Sequence, residues 1–186
     1  RSGKSTLLSI IAGLEPQTSG MIYMDNSKLT GRSRSIGYML QKDYLLEYRT
    51  VFKNIIIGLE IRHMVDNNTL SYVYQLLHKY GLYEFKDKYP FQLSGGMRQR
   101  AALIRTLATN PDILLLDEAF SALDYQTRLS VTDDVYKIIK AENKTAIMVT
   151  HDIPEGISMS DEVIVLTHRP STIGKVYTIS FDMEER

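Results

Sequence analysis

The run Ile113-Leu114-Leu115-Leu116, followed at once by Asp117-Glu118, constrains the fold most. Four consecutive apolar residues with no polar alternation predict a strand covered on both faces, as in a parallel sheet flanked by helices. The two acids then stand at the carboxyl end of that strand. The same order recurs along the chain. A strand at Ser35–Leu40 ends at Gln41, and one at Thr145–Val149 ends at Thr150-His151-Asp152 with a short helix, Pro154–Met159, behind it. Repeated strand, polar site and helix predict an α/β fold with a mostly parallel sheet. Ligands in such sheets bind beyond the carboxyl ends of the strands, where Gln41, Asp117 and His151 fall.

The other segments fit around this core. Leu7, Leu8, Ile10 and Ile11 form a helical stripe behind Gly3-Lys4-Ser5-Thr6, closed by Gly13. Met21–Met24 reads as a short strand turned by Asp25-Asn26. From Asp43 to Gln92 the pattern is helical, with Val51, Ile55 and Leu59 on one face and Leu70, Val73, Leu76, Leu77 and Tyr80 on another, ended by Gly81. Helices are expected over Met97–Thr109, stopped by Asn110-Pro111, and over Tyr125–Glu142. Strand Glu162–Leu166 and an alternating tail, Lys175–Phe181, predict an antiparallel edge. The expected organisation is one domain over 1–186. Residues 1–42 and 93–186 would form a ligand-binding core, and 43–92 an inserted helical sub-lobe.

Composition removes several classes. Lys plus Arg and Asp plus Glu are both 22, so net charge is zero and a broad nucleic-acid binder is disfavoured. The absence of cysteine excludes disulfides, thiol nucleophiles and Cys-ligated metal sites. His63, His78 and His168 lack metal-ligand spacing and are expected at exposed or capping positions.

Three strings carry chemistry. Gly3-Lys4-Ser5-Thr6 is the second half of a phosphate loop, whose backbone N–H groups at a helix start cradle phosphate oxygens. Lys4 would reach the β- and γ-phosphates and Ser5 would ligate Mg²⁺. On its own the string fits a solvated lysine at a helix start equally well. Asp117 is its natural partner, a strand-end carboxylate for hydrated Mg²⁺, with Glu118 beside it as a candidate general base. Leu93-Ser94-Gly95-Gly96-Met97-Arg98-Gln99-Arg100 is the sharpest string: Ser94 caps a helix and two glycines admit an anion to the backbone. One nucleotide does not need two such helix starts from one chain. A head-to-tail pair of chains resolves this, with Lys4 of one and Ser94 of the other facing the same nucleotide.

These residues resemble the ATP-binding cassette (ABC) ATPases, the nucleotide-binding subunits of ABC transporters. The matching elements, in family order, are the half Walker A (Gly3–Thr6), the Q-loop glutamine (Gln41) and the signature (Leu93–Gln99). Walker B (Ile113–Glu118), the D-loop (Ser121-Ala122-Leu123-Asp124) and the switch histidine (His151) follow. The resemblance implies a P-loop NTPase core that binds ATP and Mg²⁺. Gln41 would contact Mg²⁺ or the water and couple the site to a membrane partner. Ser94, Gly95 and Gly96 would clasp the γ-phosphate held by the opposite subunit, Asp124 would communicate across the dimer, and His151 would bond the γ-phosphate. Catalysis would fall to Glu118, His151 and Gln41, and metal binding to Ser5, Gln41 and Asp117.

Within the family, Asp117–Arg128 and Ile157–Asp161 resemble the nitrate/sulfonate/taurine importers. That implies a second ATPase subunit, transmembrane permease subunits, indirectly a solute-binding protein, no nucleic acid, and a peripheral location on the cytoplasmic face of the membrane. Tyr44–Arg49 would receive a coupling helix from the permease, or its aromatics would pack the helical lobe. Two departures stand out: Arg1 where relatives have glycine, and Ala119 where they have proline. The first half of the phosphate loop would precede Arg1, so an N-terminally truncated chain that binds ATP poorly or is marginally stable is expected. Alternatives are a soluble ABC-type ATPase not coupled to transport and a non-hydrolysing module. Glu118 and His151 argue against the latter, and the 52 residues between Gln41 and Ser94 leave no room for a DNA-repair coiled coil.

Overall fold

A computed structural model describes residues 3–180. The chain forms two compact units, one of Arg34–Ile147 and one of Arg1–Ser33 with Met148–Arg186.

The Arg34–Ile147 unit is built on two parallel strands, β3 (Ile36–Met39) and β4 (Ile113–Asp117), in register Ile36↔Ile113 through Met39↔Leu116. Strand β5 (Thr145–Val149) extends the order to β3-β4-β5. Leu114, Leu115 and Leu116 are buried, as a strand covered on both faces requires. Two long helices flank them. Helix α5 (Gly95–Leu107) buries Ala101 through Ile104 and Leu107. Helix α6 (Tyr125–Ala141) buries Val131, Val135, Ile138 and Ile139.

The stretch between β3 and α5 is helical: α2 (Val51–Ile55), α3 (Ile57–Ile61) and α4 (Asn67–Lys79), then single 3₁₀ turns at Tyr83–Phe85 and Pro90–Gln92. Its apolar stripe is buried as the periodicity predicts, with Val51, Ile55, Leu59, Val73, Leu76 and Leu77 all inaccessible or nearly so. Asp66 begins α4 with a reciprocal capping box, its carboxylate accepting from the Thr69 N–H while the Thr69 hydroxyl accepts from the Asp66 N–H.

In the other unit, α1 (Lys4–Ile11) follows Gly3 and stops before Gly13, whose φ is 68°. Strands β1 (Tyr23–Met24) and β2 (Ser27–Lys28) form a hairpin turned by Asp25 and Asn26, both at positive φ. After α7 (Ile153–Ser158), strands β6 (Glu162–Leu166) and β7 (Ile173–Thr178) pair antiparallel, with a bulge at Val165/Leu166. The expected edge strand thus begins two residues earlier than its alternation suggests, and Phe181 lies outside the described residues. Among the described residues, no helix is long and apolar enough to cross a membrane.

Candidate active site

The carboxyl ends of β3 and β4 bring five side chains together, Tyr38, Gln41, Asp117, Glu118 and Ser121. Tyr38 pairs with Leu115 across the two strands. Residues two apart on a strand share a face, so Asp117 projects on the side of Tyr38. The Tyr38 hydroxyl donates to Asp117 Oδ2 at 3.2 Å. Two residues beyond β3, Gln41 donates through Nε2 to Ser121 Oγ at 3.1 Å and, in a longer contact of 3.5 Å, to Glu118 Oε2.

Glu118 carries the chain out of β4 in the left-handed region, at φ 47°. That backbone is unusual for a residue with a side chain and is characteristic of functional sites. The turn that follows is held locally: the Ser121 N–H donates to the Glu118 carbonyl, the Leu123 N–H to the Phe120 carbonyl, and Arg128 Nη2 to the Leu123 carbonyl. Ala119 and Phe120, almost wholly buried, anchor it beneath the surface. Alanine at 119 therefore fits a closed, packed position. Asp124 ends the turn as the N-cap of α6, accepting from the Thr127 N–H at 3.1 Å. Hydrogen bonds to Thr127 hold its carboxyl below the ordinary aspartate range.

Ser94 is the N-cap of α5, its hydroxyl accepting from the Met97 N–H at 3.3 Å. Helix α5 begins at Gly95 rather than Met97, because the cap recruits both glycines into the first turn despite their poor propensity. Gly95 is exposed and Gly96 buried. Arg98 faces inward to Asp43 and Glu47, and Arg100 lies 3.6 Å from Asp134.

The remaining candidates lie in the unit formed by the chain's two ends. Gly3 precedes α1 at φ 83°, a conformation that glycine adopts without strain, and Lys4, Ser5 and Thr6 make the helix's first turn. The N–H groups of a helix's first turn point out of its start, where the positive end of the dipole favours an anion. His151 follows β5 and is exposed. Behind it Asp152 caps α7, accepting from the Glu155 N–H, and the Thr150 hydroxyl binds the Glu155 carboxylate.

The donor set suits magnesium. The Asp117 carboxylate and the Gln41 amide, at the ends of β4 and β3, offer hard oxygens, and the Ser5 hydroxyl of the other unit is an oxygen of the same kind. Among the described residues, no cluster of three or more His, Cys, Asp or Glu could hold a metal unaided. His63, His78 and His168 are exposed, with His78 stacked on Tyr83 at 3.6 Å. Tyr44 and Tyr48 are 58% and 78% exposed, so they do not pack the helical lobe. Tyr38 and Asp43 are site neighbours that sequence reasoning passed over. For Tyr38 the signal was present, a hydroxyl on the last turn of a strand that ends at the site.

Residues 2–121 match the ABC transporter family. The chain is 47% identical over 177 residues to an uncharacterized ABC transporter ATP-binding protein of Bacillus subtilis, covering 95% of this chain and 68% of that protein. It is 38% identical to a nitrate import ATP-binding protein of Synechocystis, covering 99% and 69%. It is 37% identical to a taurine import ATP-binding protein of Roseobacter denitrificans, covering 96% and 67%. Among solved structures, cbiO1 of Clostridium perfringens, part of an ABC transporter complex, superimposes with a TM-score of 0.77 at 26% identity over 88% of this chain and 68% of that one. A dimeric post-hydrolysis ATP-binding cassette bound to ADP and Pi gives 0.75 at 29% identity, covering 97% and 82%.

Proposed function

The chain belongs to the ABC transporter ATP-binding family, whose members hydrolyse ATP, and we propose that it powers uptake of a small solute, of the nitrate, sulfonate or taurine kind, as the ATPase subunit of an importer. The convergence of Gln41, Asp117, Glu118 and Ser121 at the ends of β3 and β4 carries the ATPase side of this reading. The importer side is supported by relatives at 37–41% identity that are named nitrate, sulfate/thiosulfate and taurine import ATP-binding proteins.

Each residue has a role in this reading. Gly3, Lys4, Ser5 and Thr6 bind the β- and γ-phosphates through N–H groups and the Lys4 ammonium. Asp117, with Ser5 and Gln41, holds Mg²⁺, which neutralises phosphate charge when bound. Glu118 accepts the proton of the attacking water, and Gln41 orients that water through its contacts at the same strand ends. His151 donates a hydrogen bond to the γ-phosphate. Ser94, Gly95 and Gly96 close on the γ-phosphate bound by a second copy of the chain, and Asp124 lies at that interface. The active form is then a homodimer on the cytoplasmic face of a membrane, docked on permease subunits that a solute-binding protein supplies. Nucleic acid has no part in it.

The test is affinity capture of the full-length protein from detergent-solubilised membranes, followed by solute uptake in cells lacking its gene. The importer reading predicts co-capture of an integral membrane protein and loss of uptake of one small anionic solute. Capture without a membrane protein, with uptake intact for nitrate, sulfonates and taurine, would leave a soluble ATPase.

A further inference from the structure

The charged cluster behind Gln41 has no part in the roles above, yet it is densely bonded. Arg98 grips Asp43 with two parallel bonds, Nε to Oδ2 at 2.8 Å and Nη2 to Oδ1 at 3.1 Å, and reaches Glu47 Oε1 at 2.8 Å. The Asp43 and Arg98 side chains are only 18% and 24% exposed. Seven residues along α5, on the same helix face, Arg105 donates to the backbone carbonyls of Asp43 at 2.6 Å and Tyr44 at 2.9 Å. Tyr44 sits at φ 46°, so the chain is held in a conformation that a tyrosine does not choose freely. From the other side the fully buried Asn54 accepts from the Leu46 N–H and donates to the carbonyls of Leu46, Arg49 and Thr50.

A two-pronged arginine–carboxylate grip of low exposure is the geometry in which an ion pair holds its partners most firmly. Its two ends lie on different elements, the segment after β3 and helix α5. Arg98 lies about one helical turn from Ser94, and Asp43 lies two residues from Gln41. We propose that Asp43, through Arg98 and Arg105, is a positioning residue that locks the Gln41 segment to the Ser94 helix, so that both phosphate-facing groups advance and withdraw as one body. This rests on the ATPase reading above and deepens it. Tyr44 and Tyr48 are exposed on this loop.

The test is steady-state hydrolysis of Mg-ATP by the full-length protein, with thermal melting alongside. Asp43→Asn and Arg98→Gln should each lower kcat about tenfold while KM for ATP stays within about twofold, the pattern of a lost transition-state interaction. The double variant should be no worse than either single one, because both break the same link. Arg98→Lys, which keeps charge but not the two-pronged grip, should fall between wild type and Arg98→Gln. Glu47→Gln, at a more exposed position, should fold normally and lower kcat about threefold. Wild-type kcat in Asp43→Asn, Arg98→Gln and Glu47→Gln, with only the melting temperature reduced, would overturn the proposal and leave a structural clamp. An inert wild-type protein would instead overturn the ATPase reading and this proposal with it.

Discussion

The Tyr38 hydroxyl donates to Asp117 Oδ2 at 3.2 Å, joining two adjacent parallel strands at the end where the site lies. The bond orients the carboxylate that is proposed to face Mg²⁺. Tyr38→Phe removes that donor and keeps the ring. A hydrogen bond to a charged group contributes about 1.5–3 kcal/mol. We therefore expect Tyr38→Phe to lower kcat/KM for Mg-ATP by about tenfold or more, with a higher Mg²⁺ requirement and a modestly lower melting temperature. Titration of activity against free Mg²⁺ reads this directly, and a wild-type Mg²⁺ curve would remove Tyr38 from the account.

Gly95 and Gly96 should separate by mechanism. A Cβ on Gly96 would meet Val131 Cγ2 at 2.8 Å, inside the packing of α5 on α6, whereas one on Gly95 would meet only the Leu123 side-chain tip at 3.1 Å. Gly96→Ala is expected to lose about 1–3 kcal/mol of stability through overpacking. Gly95→Ala should melt within a few degrees of wild type yet lose most hydrolysis, because its cost falls on the proposed phosphate contact. Denaturation and activity measured on both variants check the split.

Much of this was legible in local patterns. The apolar run at 113–116, the stripe of α4, the Asp25-Asn26 turn and the closing Gly13 announce themselves within a few residues. Helix α5 started earlier than periodicity suggests because a serine cap outweighs two glycines over one turn. The break between α2 and α3 at Ile56 was hidden by the continuous Ile55-Ile56-Ile57 run, which satisfies any apolar template. The links Tyr38–Asp117 and Asp43–Arg98 span 79 and 55 residues. Such contacts follow from strand register and helix docking, so no local window contains them.

Asn54 carries the loop between Leu46 and Thr50 on one fully buried side chain. Asn54→Ala takes the side-chain partner from the Leu46 N–H and the Arg49 carbonyl, while the Leu46 and Thr50 carbonyls keep their backbone bonds from the Arg49 and residue-54 N–H groups, at an expected cost of about 2–4 kcal/mol. Asn54→Leu should be no better, since it refills the volume without restoring the bonds. Urea denaturation midpoints of the two variants would show this, and a stable Asn54→Leu would contradict it.

Glu142, just past α6, accepts from Lys79 Nζ, the Tyr80 hydroxyl and the Tyr72 hydroxyl, fastening α4 to the end of α6. Burial pushes its carboxyl up, but the bonds from Lys79, Tyr80 and Tyr72 outweigh burial and hold it below its ordinary value of 4.5. A depressed carboxyl stabilises the fold fully above its unfolded-state value, and that stability is lost as pH falls through the lower folded-state value. Glu142→Gln should therefore cost about 1–2 kcal/mol at pH 7. The gap to wild type should close as pH drops below about 4. Melting curves of both proteins from pH 3 to pH 7 test the sign.

The central claim is that the carboxylate after β4 activates water for ATP hydrolysis in a two-copy assembly. It is tested most directly with Glu118→Gln in the full-length protein, measuring phosphate release together with light scattering in Mg-ATP. The account predicts that phosphate release falls by about a hundredfold or more, as expected for loss of a general base, while ATP binding persists and the scattering mass doubles. Hydrolysis at the wild-type rate, or a Glu118→Gln protein that binds ATP and stays a single copy, would contradict it.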